Sequence, residues 1–378
     1  MNRPVPIDKP STFGGMVGEL SSTERSFDGA GEEDRRRTDY ERELAGLLAR
    51  GMFCGPRAGT CPWCGDPGPR FRARLVDTRQ CKPGVFHMDE CRSCGHVFQN
   101  PRLTSAALAY YCRDSYDGLG RDHYASMAEY SRSAQRARVR LVTAHRRPTS
   151  WLDVGARQGH LCREARRMLP GTRVTALDPS PEVLRARDRG WTDEADQRPL
   201  TRFAEDHPGE FDVVSLVHYA ERTADPRAQF AAARRLLRPG GVVLIEQVNP
   251  LSRYADLHGR YWYCWLAPQN LHLMPADNVC GALGELGFTV ADVRRGAANK
   301  PFDNVAALLT ALNHRLPPAR SWPWSSRRAS GAGRAARTAA MVLAAPALAL
   351  ALAVDSLLQP LISRGGGGNA YRIVAVAR

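Results

Sequence analysis

One apolar run that breaks into two glycines, WLDVGARQGH at residues 151–160, constrains the fold of this chain most. The run is apolar up to Asp153, and Gly155 and Gly159 follow it. A glycine directly after a strand lets the backbone approach a ligand, and the second glycine lets the next helix pack closely. The segment therefore predicts a strand, a ligand-binding turn and a helix. On this motif alone, a tight turn without a ligand remains an alternative.

The segments that follow predict a doubly wound α/β sheet. Residues 172–177 predict a second strand that ends in the carboxylate of Asp178, and a carboxylate at such a strand end accepts hydrogen bonds from a ribose. Residues 211–218 predict a buried parallel strand. LRPGGVVLIE at residues 237–246 predicts a helix end, a glycine turn and another strand. Strands that alternate with helical segments are typical of this fold class.

Together these motifs resemble those of the class I S-adenosylmethionine-dependent methyltransferases. The matching segments are LDVGARQG, ALDPS, FDVVSLVHYAERTADP and LRPGGVVLIE, while GELGFTVADVRRG and NAYRIVAVAR resemble the sixth and the final antiparallel strand. The resemblance implies a Rossmann-like seven-stranded sheet that binds S-adenosylmethionine. It implies that Asp153, Gly155 and Gly159 shape the methionine end of the cofactor site. Asp178 is implied to hold the ribose.

Two alternative functions stay open. Arg157 stands where the family usually has a glycine and crowds the turn, which leaves a catalytically degenerate binding or scaffold protein as one alternative. The other is an NAD-dependent enzyme, whose fingerprint needs three glycines so that a helix N-terminus can hold a pyrophosphate. This turn offers only Gly155 and Gly159. A single nucleoside without a pyrophosphate fits that turn better.

Two histidines are the catalytic candidates, because ligands of open α/β sheets lie beyond the carboxyl ends of the strands. His218 ends the predicted fourth strand and is our first candidate for a base or an acceptor-positioning group. His272 follows the fifth strand, where related enzymes carry a similar histidine-leucine element near the acceptor. A purely structural histidine is the alternative for each. The aromatic segment 259–265 is predicted either to wall an apolar acceptor or to be core.

The resemblance implies direct in-line transfer of a methyl group to a small-molecule, glycan or lipid-type acceptor.

Tyrosines precede the predicted sheet and form an aromatic bridge. Tyr110 and Tyr111 are predicted to pack in the core, and Tyr116 and Tyr124 are weaker candidates for the pocket.

Two C-x-x-C-G motifs lie before the sheet, at Cys61 and Cys64 and at Cys91 and Cys94. Two thiolates on one tight turn supply half of a tetrahedral metal site, so the pair of motifs predicts a structural Cys₄ zinc site. A redox dithiol, a disulfide pair and the substitution of Cys81 for one ligand are the alternatives. Four sulfur ligands leave no open position for a substrate, so the expected role of the zinc is structural.

The charge of the chain favours anionic partners. It has 53 Lys and Arg against 39 Asp and Glu, a formal net charge of +14. The arginines are scattered and form no basic block with interleaved aromatics, so we expect an anionic acceptor or membrane surface and no nucleic-acid partner.

Residues 1–40 show no basic segment followed by an apolar core, so no secretory signal is predicted. The expected location is cytoplasmic, peripheral at the inner membrane face.

A hydrophobic segment lies near the C-terminus. Residues 338–354 are uncharged and rich in alanine and leucine, with Pro346 in their middle. A transmembrane helix needs about 20 mainly apolar residues, and this segment falls short. We expect residues 338–362 to contact a membrane surface. A core or dimer helix and a true membrane span are the alternatives.

The predicted organisation has six parts. They are a disordered N-terminus at 1–40, a zinc-ribbon-like module at 41–115, a linking helix or lid at 116–148, the methyltransferase core at 149–298, an insertion with hydrophobic helices at 299–368, and the final strand of the core sheet at 369–378.

Overall fold

The computed structural model describes residues 30–113, 132–296, 302–319, 321–325 and 328–378. In chain order its α-helices are α1 Ala30–Ala49, α2 Ser105–Cys112, α3 Arg132–Thr143, α4 His160–Met168, α5 Glu182–Asp188, α6 Leu200–Asp206, α7 Pro226–Leu236, α8 Arg253–His258, α9 Ala276–Glu285, α10 Asp303–Arg315 and α11 Gly331–Arg364. Its strands are β1 Arg70–Leu75, β2 Phe86–Glu90, β3 Val97–Gln99, β4 Ser150–Val154, β5 Arg173–Leu177, β6 Glu194–Asp196, β7 Phe211–Val217, β8 Leu237–Val248, β9 His272–Leu273, β10 Phe288–Gly296 and β11 Ala370–Ala377. Short 3₁₀ turns lie at Ala220–Arg222, Gly259–Tyr261 and Tyr263–Trp265.

The larger sheet has seven strands in the order β10-β11-β8-β7-β4-β5-β6. The five strands from β8 to β6 are parallel, and β11 lies antiparallel between β8 and β10. Every residue of β4 is buried, because helices cover both faces of a parallel sheet and its central strands are therefore apolar throughout. The sheet order and the antiparallel pairing of β11 confirm the predicted α/β fold with a final antiparallel strand.

One local prediction in this sheet needs correction. LRPGG was predicted as a helix end followed by a glycine turn, but β8 begins at Leu237, directly after α7. Gly240 has a φ of +70°, and the register between β7 and β8 shifts nearby, between Phe211 and Val213. The expected turn is therefore an irregularity within a paired strand, because Leu237 already pairs with Phe211.

The smaller sheet has four antiparallel strands in the order β1-β2-β3-β9. The first three come from the N-terminal module and include the hairpin expected between the two cysteine motifs. The fourth, β9, comes from the chain after β8, so one sheet joins the module to the core. The predicted boundaries 41–115 and 149–298 stay predictions, and this shared sheet crosses them.

The N-terminal helix extends into the segment that was predicted to be disordered. Residues 30–40 were expected to be disordered, but they form the first half of α1. Arg37 and Glu41 form an ion pair one turn apart, and the Tyr40 ring packs edge-on against Trp324, with centroids 5.1 Å apart. Aromatic packing at the end of this segment explains the order that composition alone did not predict. Tyr116 and Tyr124, and the segment 114–131 that contains them, lie outside the described residues.

The C-terminal segment forms a helical hairpin. The carboxylate of Asp355 in α11 accepts hydrogen bonds from the backbone N–H groups of Asn304 and Val305, at the start of α10. The guanidinium of Arg337, near the start of α11, donates to the carbonyl of Pro317 beyond the end of α10. The two helices are therefore antiparallel. Among the described residues, α11 is the one helix that is long and apolar enough to cross a membrane, from Gly331 to Leu358.

Candidate functional site

The predicted cofactor residues lie at the carboxyl ends of two adjacent parallel strands. Val154 at the end of β4 pairs with Leu177 at the end of β5. Gly155 and Asp178 follow these two residues directly, so they lie side by side. The backbone N–H of Gly155 also donates to the carbonyl of Leu177, at 2.8 Å. Sequence motifs far apart in the chain thus meet at one edge, as the fold requires of a ligand site.

The turn between β4 and α4 needs its glycines. Gly155 and Gly159 have φ values of +72° and +74°. A Cβ at Gly159 would lie 2.6 Å from the Cβ of Ala186, and one at Gly155 would lie 2.9 Å from Cδ2 of Tyr219. Arg157 also has a positive φ, +54°. A left-handed conformation costs an L-residue about 1–2 kcal/mol, so the turn is strained at Arg157.

Asp178 holds the turn in place. One carboxylate oxygen accepts the backbone N–H of Arg157 at 3.0 Å, and the other accepts that of Ser180 at 2.9 Å. Each oxygen of a carboxylate has a second lone pair and so retains capacity for another donor. The side chain therefore orients the turn and is still able to accept the hydroxyls of a ribose.

Asp153 lies in β4, just before the turn between β4 and α4. Its carboxylate accepts the hydroxyl of Ser215 on β7 at 2.7 Å and lies 3.6 Å from the thiol of Cys162 on α4. Burial raises the pKa of Asp153 to about 6. These contacts commit the side chain to its neighbours in the core. Asp153 is only 4% exposed, and its role in shaping the methionine end of the site stays a prediction.

His218 lies just beyond β7, the strand next to β4, and has a φ of +50°. Its Nδ1 lies 3.0 Å from a carboxylate oxygen of Glu221, and its Nε2 lies 3.2 Å from one of Glu246. A neutral imidazole has only one N–H, whereas two carboxylate partners call for two donors. Burial alone would lower the pKa of His218, but the hydrogen bonds to the two glutamates raise it above its ordinary value.

Glu246 is the centre of a buried ionic cluster that sequence analysis missed. It is fully buried on β8, and its carboxylate accepts hydrogen bonds from Arg138 of α3 and Arg372 of β11. Burial opposes its ionisation, yet the two guanidinium groups and His218 hold the pKa of Glu246 well below its usual range. Glu246 of β8, which Arg138 of α3 and Arg372 of β11 hold in place, thus helps to position the ring of His218.

This arrangement favours an imidazolium at His218. With both ring nitrogens donating to carboxylates, the ring has no lone pair to take a proton from an acceptor. The side chain is still 25% exposed and lies at the ligand edge of the sheet. Of the two roles predicted for His218, the geometry therefore supports the positioning of an acceptor and disfavours a general base.

His272 lies in a different environment from the one expected. It is part of β9, where it pairs with Phe98 of β3. Its ring is 3% exposed and stacks on that of His96, with centroids 5.2 Å apart. Burial, together with the charge of Arg102, lowers the pKa of His272 to about 4. The ring therefore packs into the N-terminal module, so the structure gives no support to its predicted catalytic role.

Tyr219 is a site residue whose role the sequence did not reveal. Its ring covers Gly155, and its hydroxyl donates to the amide oxygen of Gln229 at 3.3 Å. Burial and the charge of Asp178 raise the pKa of Tyr219 to about 12. The phenol therefore stays neutral and forms a wall beside the glycine turn. A cavity of about 370 Å³, lined by Arg163, Arg166 and Trp191 among others, contains none of these site residues.

The aromatic segment 259–265 belongs to the core. Trp262 is 1% exposed and Trp265 is 4% exposed. The two indole rings pack edge-to-face, and the Trp265 N–H donates to the carbonyl of Gly259 at 2.8 Å. Both belong to the hydrophobic cluster that contains the residues of the smaller sheet. The core alternative is therefore the one that the structure supports.

The four predicted cysteine ligands come together. The sulfur atoms of Cys61, Cys64, Cys91 and Cys94 all lie within 4.8 Å of one another. Cys61 and Cys94 are 3.7 Å apart, and Cys64 and Cys91 are 3.6 Å apart. A tetrahedron with Zn–S bonds of about 2.3 Å has edges of roughly 3.8 Å, so these thiols fit a zinc ion. Cys81 is exposed and is not part of the cluster.

Comparison with known proteins agrees with this geometry. Residues 124–293 match a family described as "Methyltransferase domain". This chain carries a methyltransferase domain. The prediction of a methyltransferase is thereby confirmed, and so is the prediction of an enzyme.

The chain is also similar to curated O-methyltransferases. The chain is 29% identical over 169 residues to a ubiquinone biosynthesis O-methyltransferase of Xanthomonas euvesicatoria pv. vesicatoria, covering 42% of this chain and 69% of the relative. It is 31% identical over 128 residues to the enzyme of the same name from Sodalis glossinidius, covering 32% of this chain and 51% of the relative. The chain thus spans only about half the length of the second relative. A solved methyltransferase from Archaeoglobus fulgidus is 14% identical, with a TM-score of 0.42, covering 67% of this chain and 99% of that one.

Proposed function

We propose that this chain transfers the methyl group of S-adenosylmethionine to an oxygen of a small-molecule acceptor. The observation that carries the proposal is the position of Asp178 beside Gly155, at the ends of adjacent parallel strands. The oxygen acceptor is supported by the name of the curated relatives, O-methyltransferase.

Methyl transfer mainly requires the protein to align the acceptor with the methyl group. S-Adenosylmethionine would supply an activated methyl group, which an acceptor oxygen would take by direct displacement. The electron pair of the S–CH₃ bond would return to sulfur, and the hydroxyl proton of the acceptor would pass to solvent. Holding nucleophile and methyl group in line supplies much of the rate enhancement. Asp178 and the glycine turn would hold the cofactor. We assign His218 to the acceptor, because an imidazolium beyond β7 favours a deprotonated, anionic oxygen.

Calorimetry with S-adenosylhomocysteine, followed by a screen of cell extract for labelled methyl incorporation, tests this function. Binding that depends on Asp178, together with incorporation into a small molecule, is the expected result. Absence of binding would favour the degenerate scaffold protein, since Arg157 strains the turn and the Tyr219 ring covers Gly155. Incorporation into glycan or lipid alone would replace the proposed acceptor class.

We also propose that the four-cysteine cluster holds a structural zinc ion. The sulfur separations support it, and four thiolates would complete the coordination shell without an open position. Metal analysis of the purified chain should find about one zinc per chain. A Cys64→Ser variant should lose it, whereas Cys81→Ser, which changes an exposed thiol outside the cluster, should keep it.

We propose further that α11 docks on an anionic lipid surface. Val342, Leu343, Leu350 and Leu357 are each between 66% and 81% exposed. Between Thr338 and Val354, half-buried residues form one stripe along the helix. The apolar residues on its other sides are exposed. The helix α10 packs along one side of α11, and the exposed apolar positions that remain would insert at the headgroup boundary of a bilayer. The net charge of +14 complements anionic headgroups.

Vesicle flotation tests this surface. Wild type should float with vesicles containing phosphatidylglycerol, and a Leu343→Glu, Leu350→Glu variant should not. Leu257→Glu is the matched control, since Leu257 is 70% exposed on α8. No flotation of wild type would contradict the proposal. A dimer in light scattering that the double substitution dissociates would assign the surface to a second copy instead.

A further inference from the structure

We propose that His96 and His272 form a positioning link through which the four-cysteine module holds the segment 218–227 of the methyltransferase site. This inference rests on the proposed zinc site. It assigns to His272 a role in support of the metal module, in place of direct contact with an acceptor.

The two histidines connect a metal ligand to the core. His96 Nδ1 lies 3.7 Å from the sulfur of Cys61, and His96 Nε2 lies 3.2 Å from Nδ1 of His272. The rings are nearly parallel, at 18°. His96 is 1% exposed and His272 is 3% exposed, so water does not replace either contact.

The chemistry of the pair fixes the direction of its hydrogen bonds. A metal-bound thiolate accepts hydrogen bonds, so His96 uses its Nδ1–H to donate to Cys61. A neutral imidazole then has only a lone pair at Nε2, and this lone pair needs a donor. In the proposed link, Nδ1–H of His272 takes this donor role, since Nδ1 is the ring nitrogen that faces Nε2 of His96. His272 therefore selects the tautomer of His96 that stabilises the thiolate, as outer residues commonly do around metal sites.

His272 is also tied to the methyltransferase site. The residue before it, Leu271, donates its backbone N–H to the carbonyl of Glu221 at 2.8 Å and accepts the N–H of Gln99 at 2.9 Å. Glu221 is the residue whose side chain bonds Nδ1 of His218. One short path of contacts thus runs from Cys61 through the histidine pair to His218.

Two further contacts join the module to the same segment. Arg102, which follows the second cysteine motif, donates to the carbonyl of Ala224 at 2.6 Å. The guanidinium of Arg227 lies 4.5 Å above the ring of Trp63, which stands between Cys61 and Cys64. The segment after β7 is therefore held by the module at several points. Release of the metal should loosen it.

The first experiment uses the wild-type chain. Its zinc content is measured, the metal is removed with a chelator, and amide hydrogen exchange is compared before and after. Exchange should rise at 96–99, 271–273 and 218–227, while β4 and β5 should keep their protection. Unchanged protection at 218–227 would overturn the link. A chain purified without metal would instead refute the zinc site, and binding of S-adenosylhomocysteine would still test the methyltransferase function separately.

Variants of His272 distinguish positioning from catalysis. His272→Leu should weaken zinc binding in a chelator competition, by less than the roughly 10- to 100-fold typical of losing a direct hydrogen-bond partner of a metal ligand, because His272 acts through His96. His272→Asn keeps an N–H donor near the same place and should recover most of the affinity. His314→Leu, an exposed histidine on α10, should match wild type.

The opposite pattern would overturn the link. If His272→Leu and His272→Asn kept wild-type zinc affinity and exchange at 218–227 but lost methyl transfer, His272 would act directly on the acceptor. If His272→Leu did not fold, the exchange experiment on wild type and the His272→Asn variant would decide.

Discussion

The two halves of the ligand edge are built by different means. At β4 and β5 the site is made mainly of backbone, with Gly155 and Gly159 in left-handed conformations and N–H groups that orient Asp178. At β7 and β8 it is made of charged side chains, with His218 fixed by Glu221 and Glu246. Added side chains should therefore disturb the first half most, and lost charges should disturb the second half most.

This difference suits the two halves to different ligands. A nucleoside needs a close approach of backbone and a single carboxylate, which are features of the first half. An acceptor that changes charge during reaction needs fixed charges that do not reorganise, which are features of the second. Substitutions in the two halves should therefore fail in different ways.

The largest effect is expected from Glu246→Ala. This variant leaves Arg138, Arg372 and His218 without their shared carboxylate, and breaking a buried ionic group typically costs about 3–5 kcal/mol. The free energy of unfolding, measured with urea, should fall by that order. Glu285→Ala is the matched control, because the Arg227–Glu285 pair is exposed and should contribute less than about 1 kcal/mol. Equal losses in both variants would contradict the cluster.

Asp178→Asn should affect binding more than stability. The variant loses a charge-assisted acceptor for the ribose, which is worth about 1.5–3 kcal/mol or roughly 10- to 100-fold in affinity for S-adenosylhomocysteine. Calorimetry measures this change. Asp188→Asn, on the exposed end of α5, is the control. Wild-type affinity in Asp178→Asn would remove the carboxylate from the site.

A smaller effect should depend on pH. The folded pKa of His218 is raised, so its charged interactions stabilise the fold fully below the unfolded pKa, near 6.5, and are lost as the pH rises through the folded value. The stability difference between wild type and His218→Gln should thus be about 1 kcal/mol at pH 6 and should decrease toward pH 9. A difference that grows with pH would mean that the ring is neutral in the folded chain.

The smallest effect is expected from Arg157→Gly. Glycine removes the left-handed strain but costs more entropy on folding, so the gain in stability should be below about 1 kcal/mol. Affinity for S-adenosylhomocysteine should stay equal or increase, because the turn is less crowded. A clear loss of affinity would show that the Arg157 side chain contacts the cofactor.

The same contrast shows how far sequence reasoning reaches. The glycine turn, Asp178 and the cysteine motifs were predictable, because each depends on residue types at short spacing. The cluster of Glu246, Arg138 and Arg372 was not, since these residues come from β8, α3 and β11 and meet only through the order of the strands. A buried charged residue within an apolar strand, as in VVLIE, was the one available signal.

His272 shows why the rest was missed. Its position after the fifth strand suggested a place near the acceptor, but β9 pairs with β3 of the N-terminal module. That pairing is a non-local contact without a spacing signature in the sequence. Because the sequence carries no signature of this pairing, the module and the core were predicted as separate units.

A crystal structure of the chain with S-adenosylhomocysteine tests the central claim most directly. The account predicts that the Asp178 carboxylate accepts hydrogen bonds from the ribose hydroxyls and that the methionine end lies against Gly155. A ligand bound elsewhere, or an Asp178 that bonds only to the backbone of Arg157 and Ser180 while the ribose finds other partners, would contradict it.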